Sequence, residues 1–136
     1  MKSSWIDTKQ NIITVKNSAQ FITKSKKERI IPIHPCIISI IIKSYSGKDD
    51  FIFNRTIGTK FNEDYVSKQF KKALRAAKLN DDIHFHTLRH SFASNLVQRG
   101  VNLYVVKELL GHEDIKTTQV YSHLTQSSLS NAVCLL

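Results

Sequence analysis

The sequence predicts an α+β fold: a small three-stranded antiparallel sheet followed by a mainly helical bundle. Two patterns predict it. Residues 11–33 are rich in β-branched side chains broken by turn signals, and from residue 62 onward apolar residues recur at helical spacing between capping residues and glycines. No linker, low-complexity tract or internal repeat interrupts the 136 residues, so the chain reads as one domain. A chain of this length buries a core without disulfides or a metal.

The elements follow in order. Asn11–Lys16 reads as a strand, Asn17-Ser18 as a turn, and Gln20–Thr23 as a second strand. A basic loop, Lys24-Ser25-Lys26-Lys27, leads to a third strand over Arg29–Ile33. Pro32 cannot donate to a ladder and so belongs on an edge. Short connections make this an antiparallel meander. Pro35–Ser44 reads as a helix with proline in its first turn. Gly47–Asp50 is a loop, and Phe51–Phe53 a short extended segment.

Asn62 caps a helix reaching Lys78, and Glu63 and Asp64 suit the positive end of its dipole. Val66, Phe70, Ala73 and Ala77 form its apolar stripe; Lys68, Lys71, Arg75 and Lys78 form a basic one. Thr87–Arg99 is a helix stopped by Gly100. Asn102 caps another through Leu110, which Gly111 ends. Asp114 opens a segment to about Ser122, and Thr125–Leu136 is a last amphipathic helix aligning Leu129, Val133 and Leu136.

Charge narrows the partners. Twenty Lys plus Arg against eleven Asp plus Glu leave a net charge of +9 and a pI near 9.7, which suits a polyanion such as nucleic acid. The plain reading of the basic stripe is a solvated helix face; the functional one is phosphate contact. Cys36 and Cys134 match neither zinc nor redox spacing and read as small core hydrophobes in a reducing compartment. Met1–Trp5 opens no apolar run, and the longest one, Cys36–Ile42, is far shorter than a membrane span. The expectation is a cytoplasmic protein with no leader and no membrane partner.

Several polar residues stand where helices begin or end. His86 and Arg89 are three apart and share a helical face. His112 follows Gly111, Tyr121 comes nine residues later, and Lys24 lies in the loop between strands. Taken singly, each has an ordinary structural reading. His86 and His90, four apart, could bind zinc, but no H-E-x-x-H pattern or cysteine pair accompanies them. Asp49-Asp50, Asp81-Asp82 and Glu113-Asp114 could suggest a two-metal nuclease, yet capping and solvation at loops and helix starts explain them more simply. No metal, cofactor or small-molecule substrate is expected.

Taken together the strings are specific. His86-Thr-Leu-Arg89-His90-Ser-Phe-Ala93, Leu109-Leu-Gly-His112 and Thr117-Thr-Gln-Val-Tyr121-Ser-His123 resemble, in order and spacing, three boxes of the tyrosine recombinase (phage integrase) family. Upstream, Thr23-Lys24-Ser-Lys-Lys-Glu-Arg29-Ile-Ile-Pro-Ile33 is similar to the strand pair that presents that family's catalytic lysine, and Ser3–Asp7 with Ile12–Val15 to the segment leading into it.

The resemblance implies metal-free phosphodiester transfer. Tyr121 attacks the scissile phosphorus and holds the DNA as a 3′-phosphotyrosine, conserving the bond for rejoining. Arg89 clamps non-bridging oxygens with its rigid fork. His86 and His112 add hydrogen bonds there or assist the Tyr121 proton. Lys24 protonates the leaving 5′-oxygen, with Lys26 and Lys27 as alternatives in the same loop. His90 and His123 serve packing or supporting bonds. Lys26, Lys27, Lys68, Lys71, Arg75 and Lys78 contact DNA. The partners implied are double-stranded DNA and further recombinase protomers; the last helix packs in cis or on a neighbouring protomer, with cis packing or a weak dimer expected for this chain alone.

The family also uses a second catalytic arginine, in a helix preceding the sheet. Met1–Ser4 carry none, and Arg29 and Arg55 lie in no matching motif. Residues 1–136 are therefore expected to be a partial catalytic domain, without that helix and without the N-terminal core-binding domain. One preorganised donor to a transition-state oxyanion is worth roughly 100- to 1000-fold in rate, so weak cleavage by this chain alone is expected. The alternative is a DNA-binding remnant without catalysis. A third reading is a helix-turn-helix regulator over Asn102–Ser122.

Overall fold

A computed structural model describes residues 1–17, 21–23, 27–44, 51–56, 59–125 and 133–134. The chain divides into two compact units, Met1–Val66 and Ser67–Leu136.

The first unit holds the expected three-stranded antiparallel sheet, in the order β1 (Ile6–Asp7), β2 (Ile12–Val15), β3 (Arg29–Pro32). Its membership differs from the sequence reading. The extra strand is β1, while Ile22 and Thr23 are not in a strand and Gln20 lies outside the described residues. Two local bonds explain this. The Asp7 carboxylate accepts the backbone N–H of Lys9 (2.9 Å) and Gln10 (3.0 Å), closing a tight turn that Asn11 completes at φ 56. The Thr23 N–H donates to Asn17 Oδ1 at 2.9 Å, so a side chain takes the donor a ladder would need. β2 therefore pairs directly with β3, Ile12 opposite Pro32 and Val15 opposite Arg29, and Pro32 sits on the edge as expected.

Helix α1 spans Pro35–Ser44, as the sequence predicts. It contributes Ile41 to a core with Ile33 and Ile52, against which Met1, Ile6, Ile13 and Ile38 pack. Cys36 is exposed, not a core residue. Five residues from Ile41 places it about 140° around the helix, away from the buried side. Cys134 is exposed too. Phe51 bridges Lys2, and the Ile52 N–H donates to the Met1 carbonyl at 3.1 Å. A short hairpin not foreseen in the sequence follows, β4 (Asn54–Thr56) against β5 (Thr59–Lys60). The predicted Gly47–Asp50 loop lies outside the described residues.

Helix α2 (Glu63–Ala76) crosses into the second unit. Asn62 Oδ1 accepts the Tyr65 N–H at 2.8 Å, the cap the sequence predicts. Its buried residue is Leu74, with Val66 and Phe70 partly covered, while Ala73 and Ala77 are exposed. The inward stripe thus advances in steps of four, 66-70-74, correcting the predicted one. The helix stops short of Lys78 because that residue is left-handed (φ 55). Lys78 N–H donates to Arg75 O and Leu79 N–H to Leu74 O, both at 3.0 Å, a Schellman closure.

Helices α3 (Thr87–Gln98), α4 (Leu103–Leu110) and the short α5 (Lys116–Gln119) follow, then a 3-10 turn at Ser122–Thr125. Gly100 (φ 80) and Gly111 (φ 70) end α3 and α4 by the same closure, as their sequence positions suggest. Asn102 Oδ1 caps α4 through the Tyr104 N–H at 2.8 Å. Ala93, Val97, Val106, Leu110 and Tyr121 form the core of this unit, with Leu96, Val101, Leu103 and Leu124 packed on it. The predicted last helix lies largely outside the described residues, Leu129 and Leu136 included; Val133 is exposed. Among the described residues no helix is long and apolar enough to cross a membrane.

Candidate active site

Helix ends position the polar side chains of the second unit. His86 occupies the N-cap position of α3, and Arg89 lies in its first turn. Both therefore stand at the positive end of the helix dipole, where unsatisfied N–H groups favour an anion. Arg89 Nη2 donates to the Leu110 carbonyl at 2.7 Å. That carbonyl belongs to the last turn of α4, one of the acceptors a helix cannot satisfy internally. The bond ties α3 to the end of α4 and fixes the guanidinium, which has five N–H donors in all.

His112 is placed by the glycine before it. Gly111 N–H donates to Glu108 O at 3.1 Å and His112 N–H to Lys107 O at 3.1 Å, so the chain turns sharply off α4. The His112 ring then meets Thr118, whose Oγ1 lies 2.8 Å from Nδ1. Thr118 is fully buried. Where the hydroxyl donates to Nδ1, the ring proton is on Nε2; where it accepts, Nδ1 carries the proton.

Tyr121 follows α5 directly. Its ring is 6% exposed and packs in the core, while its hydroxyl lies 2.6 Å from Nδ1 of His90. His90 is itself exposed, so the phenol oxygen sits at the rim of the core. The rings of His86 and His90 meet edge-on with centroids 5.1 Å apart. Bonds and ring contacts thus link His86, His90 and Tyr121 in one chain, Arg89 to Leu110 in a second, and His112 to Thr118 in a third. Thr118, three residues before Tyr121, joins the last of these to the tyrosine corner through the Tyr121 N–H to Thr118 O bond at 3.1 Å.

Sequence reasoning missed Thr118 and the Leu110 carbonyl, and gave His90 only a supporting place. The one available signal was spacing, since His90 is a helical turn from His86. His123 is exposed in the 3-10 turn. Lys24 and Lys26 lie outside the described residues, and Lys27 is exposed in the first unit.

The basic stripe of α2 splits in two. Lys68 and Lys78 are exposed. Lys71 Nζ donates to the carbonyls of Asp81 and of Ile83, the latter at 3.0 Å. Arg75 pairs with the Asp81 carboxylate, Nη2 to Oδ2 at 2.8 Å. That guanidinium, by hydrogen bond first and charge second, holds the Asp81 carboxyl below the usual carboxylate range. Ser67, Lys68, Lys71, Lys72 and Arg75 line a shallow basic concavity on this helix. Lys72, one step off the predicted stripe, was also missed.

Comparisons with known proteins identify the family. A tyrosine recombinase of Thermosipho africanus is 36% identical over 111 residues, covering 81% of this chain and 39% of that protein. The tyrosine recombinase XerD of Rickettsia bellii is 38% identical over 133 residues, covering 88% and 43%. The chain thus spans about two fifths of the length of these curated relatives. Among solved structures, the catalytic domain of bacteriophage HP1 integrase superposes with a TM-score of 0.65 at 32% identity, covering 98% of this chain and 68% of that one. The XerH recombinase bound to its palindromic difH substrate after cleavage gives 0.72 at 26% identity, covering 97% and 38%. The phage integrase family matches residues 1–128, and on that match, which takes in nearly the whole chain, the protein belongs to the phage integrase family.

Proposed function

We propose that this chain is the catalytic portion of a site-specific DNA recombinase that cuts and rejoins strands through a 3′-phosphotyrosine at Tyr121. The observation that carries the reading is a tyrosine hydroxyl at the rim of a helical core, held by an imidazole from the helix that bears His86 and Arg89. Attack by the Tyr121 oxygen on phosphorus, with His86 assisting departure of the phenolic proton, forms the protein–DNA ester and releases a 5′-oxygen. Arg89 and His86, at the N-terminus of α3, stabilise the charge that builds on the non-bridging oxygens. His112, with Nδ1 on Thr118, offers Nε2–H to the same oxygens. Lys24 gives its proton to the leaving oxygen, and Lys26 and Lys27 are the alternatives in that loop.

The substrate is double-stranded DNA, and the assembly includes further protomers; XerH, similar in fold and sequence, was captured bound to its palindromic difH substrate. Lys26, Lys27, Lys68 and Lys78 contact phosphates. Lys71 and Arg75 first hold the α2–α3 connection and add their charge to the basic concavity. The protein acts in the cytoplasm.

The test is a suicide duplex nicked next to the cleavage site of a chosen target. The expected result is a covalent DNA adduct that survives denaturation, persists in a chelator and disappears in Tyr121→Phe. DNA binding without an adduct would instead make the chain a binding module.

A further inference from the structure

The hydrogen bond of the proposed nucleophile's hydroxyl is with His90, a residue outside the proposed catalytic set. Tyr121 Oη and His90 Nδ1 are 2.6 Å apart, within hydrogen-bond distance. Among the described residues this is the phenol's hydrogen-bond partner. Buried tyrosines keep such a partner because the hydroxyl loses its water on burial.

We propose that His90 is the positioning residue of the nucleophile: its Nδ1 accepts the phenol proton and so fixes where the Tyr121 oxygen points. The functional meaning rests on Tyr121 being the nucleophile; the contact itself does not. Two observations support the assignment. Tyr121 stands at a corner between two short elements, α5 and the 3-10 turn, secured by the bonds Tyr121 N–H to Thr118 O and Leu124 N–H to Tyr121 O. Such a corner sets the Cα, and a further contact is needed to set the oxygen. His90, by contrast, lies inside the twelve-residue helix α3, one turn from His86, whose carbonyl accepts its N–H at 3.3 Å. The helix therefore supplies a rigid anchor that places the phenol oxygen relative to His86 and Arg89.

The tautomer has a chemical consequence. With the ring proton on Nε2, the phenol donates to Nδ1 and the oxygen's lone pairs remain available for phosphorus. With the proton on Nδ1, the imidazole would donate to the oxygen and occupy a lone pair that attack requires. The Nε2-protonated form is therefore the productive one.

The experiment uses the 136-residue chain with 13Cζ-labelled tyrosine. Its four tyrosines give separate signals, and Tyr121→Phe identifies the one that matters. His90→Phe keeps an aromatic ring but removes the acceptor; His90→Asn restores an acceptor near the Nδ1 position. We expect His90→Phe to move the Tyr121 Cζ resonance alone and His90→Asn to return it toward the original value. The suicide duplex supplies the second readout: adduct formation falls roughly tenfold or more in His90→Phe, the loss of one well-placed hydrogen bond, and recovers in part in His90→Asn. His90 is exposed, so both variants should fold, and circular dichroism checks this. An unmoved Tyr121 resonance in folded His90→Phe overturns the proposal, as does an unchanged adduct rate. Absence of any adduct with the unaltered chain would count against the nucleophile reading alone, because the resonance still decides the contact.

Discussion

The two units place their functional residues by different means. In the first, strand pairing joins residues distant in sequence, such as Ile12 with Pro32. The proposed lysine belongs to the long β2–β3 connection, in which the Thr23 N–H donates to Asn17 Oδ1. In the second, every proposed catalytic side chain stands at a helix boundary: His86 and Arg89 where α3 begins, His112 just after α4, Tyr121 just after α5. Helix ends leave N–H and C=O groups without internal partners, and the bonds that complete them also orient the site. A site built this way is fixed by local chain stops and a few cross-links. A site on a strand connection is fixed by what the connection itself bonds to.

That contrast is tested most severely at Thr118. If helix-end cross-links order the second unit, removing one should disturb both stability and the adjacent imidazole. Thr118→Val deletes the hydroxyl bonded to His112 from a fully buried position. We expect a loss of about 1–3 kcal/mol in urea unfolding, the range for breaking a buried hydrogen bond. The 15N spectrum of His112 should also shift toward a mixture of tautomers. Unchanged stability together with an unchanged His112 tautomer would mean that the cross-link does not order the site.

A smaller effect is expected at Lys78, and it also shows why some elements were legible in the sequence and others were not. Three helices end in the same closure. Gly100 and Gly111 announce two of these ends, and α3 and α4 were placed within a residue of their observed limits. α2 ends the same way at Lys78, which carries a Cβ in the left-handed region. Nothing in a lysine signals that conformation, so the predicted helix ran two residues too long. Lys78→Gly should relieve the strain and stabilise the chain by about 1 kcal/mol, read as a raised urea midpoint. A drop in stability would show that the lysine side chain contributes more than its backbone costs.

The sheet was less legible for the same kind of reason. β-branched runs mark strand-forming stretches, and β2 and β3 were found. Which stretch pairs with which depends on partners far along the chain, and Phe21-Ile22-Thr23 had the right composition in the wrong surroundings. The order β1-β2-β3 rests on the Asp7 turn, whose two bonds are invisible to alternation counting. The candidate site was read mainly from its motif strings. What the strings could not supply were its supports, Thr118 and the Leu110 carbonyl, because each meets its partner across a turn or between helices.

The smallest expected effect belongs to the connection between α2 and α3, where exposed charges do the holding. Arg75 and Asp81 are both solvent-exposed, so salt screens their attraction and its share of stability is small. Its sign with pH is nevertheless fixed. The Asp81 carboxyl is held below its ordinary value of 3.8, chiefly by the Arg75 hydrogen bond. A depressed carboxylate adds stability that is fully present above the unfolded value and is lost as pH falls through the folded one. Arg75 is shifted upward from its ordinary value by the same partner and remains charged throughout that window. Asp81→Asn should therefore be slightly less stable than the original chain at neutral pH, and the two should converge below 3.8 as Asp81 takes up its proton. Raised salt should shrink the gap at neutral pH, because the pair is screened and the backbone bonds from Lys71 to the Asp81 and Ile83 carbonyls are neutral at the acceptor end. A gap that persists once Asp81 is fully protonated, or one that salt leaves untouched, would mean that Asp81 holds the connection through its side-chain shape and not through its charge. The contrast between the units would then extend to this segment as well, with geometry alone setting where His86 begins its helix.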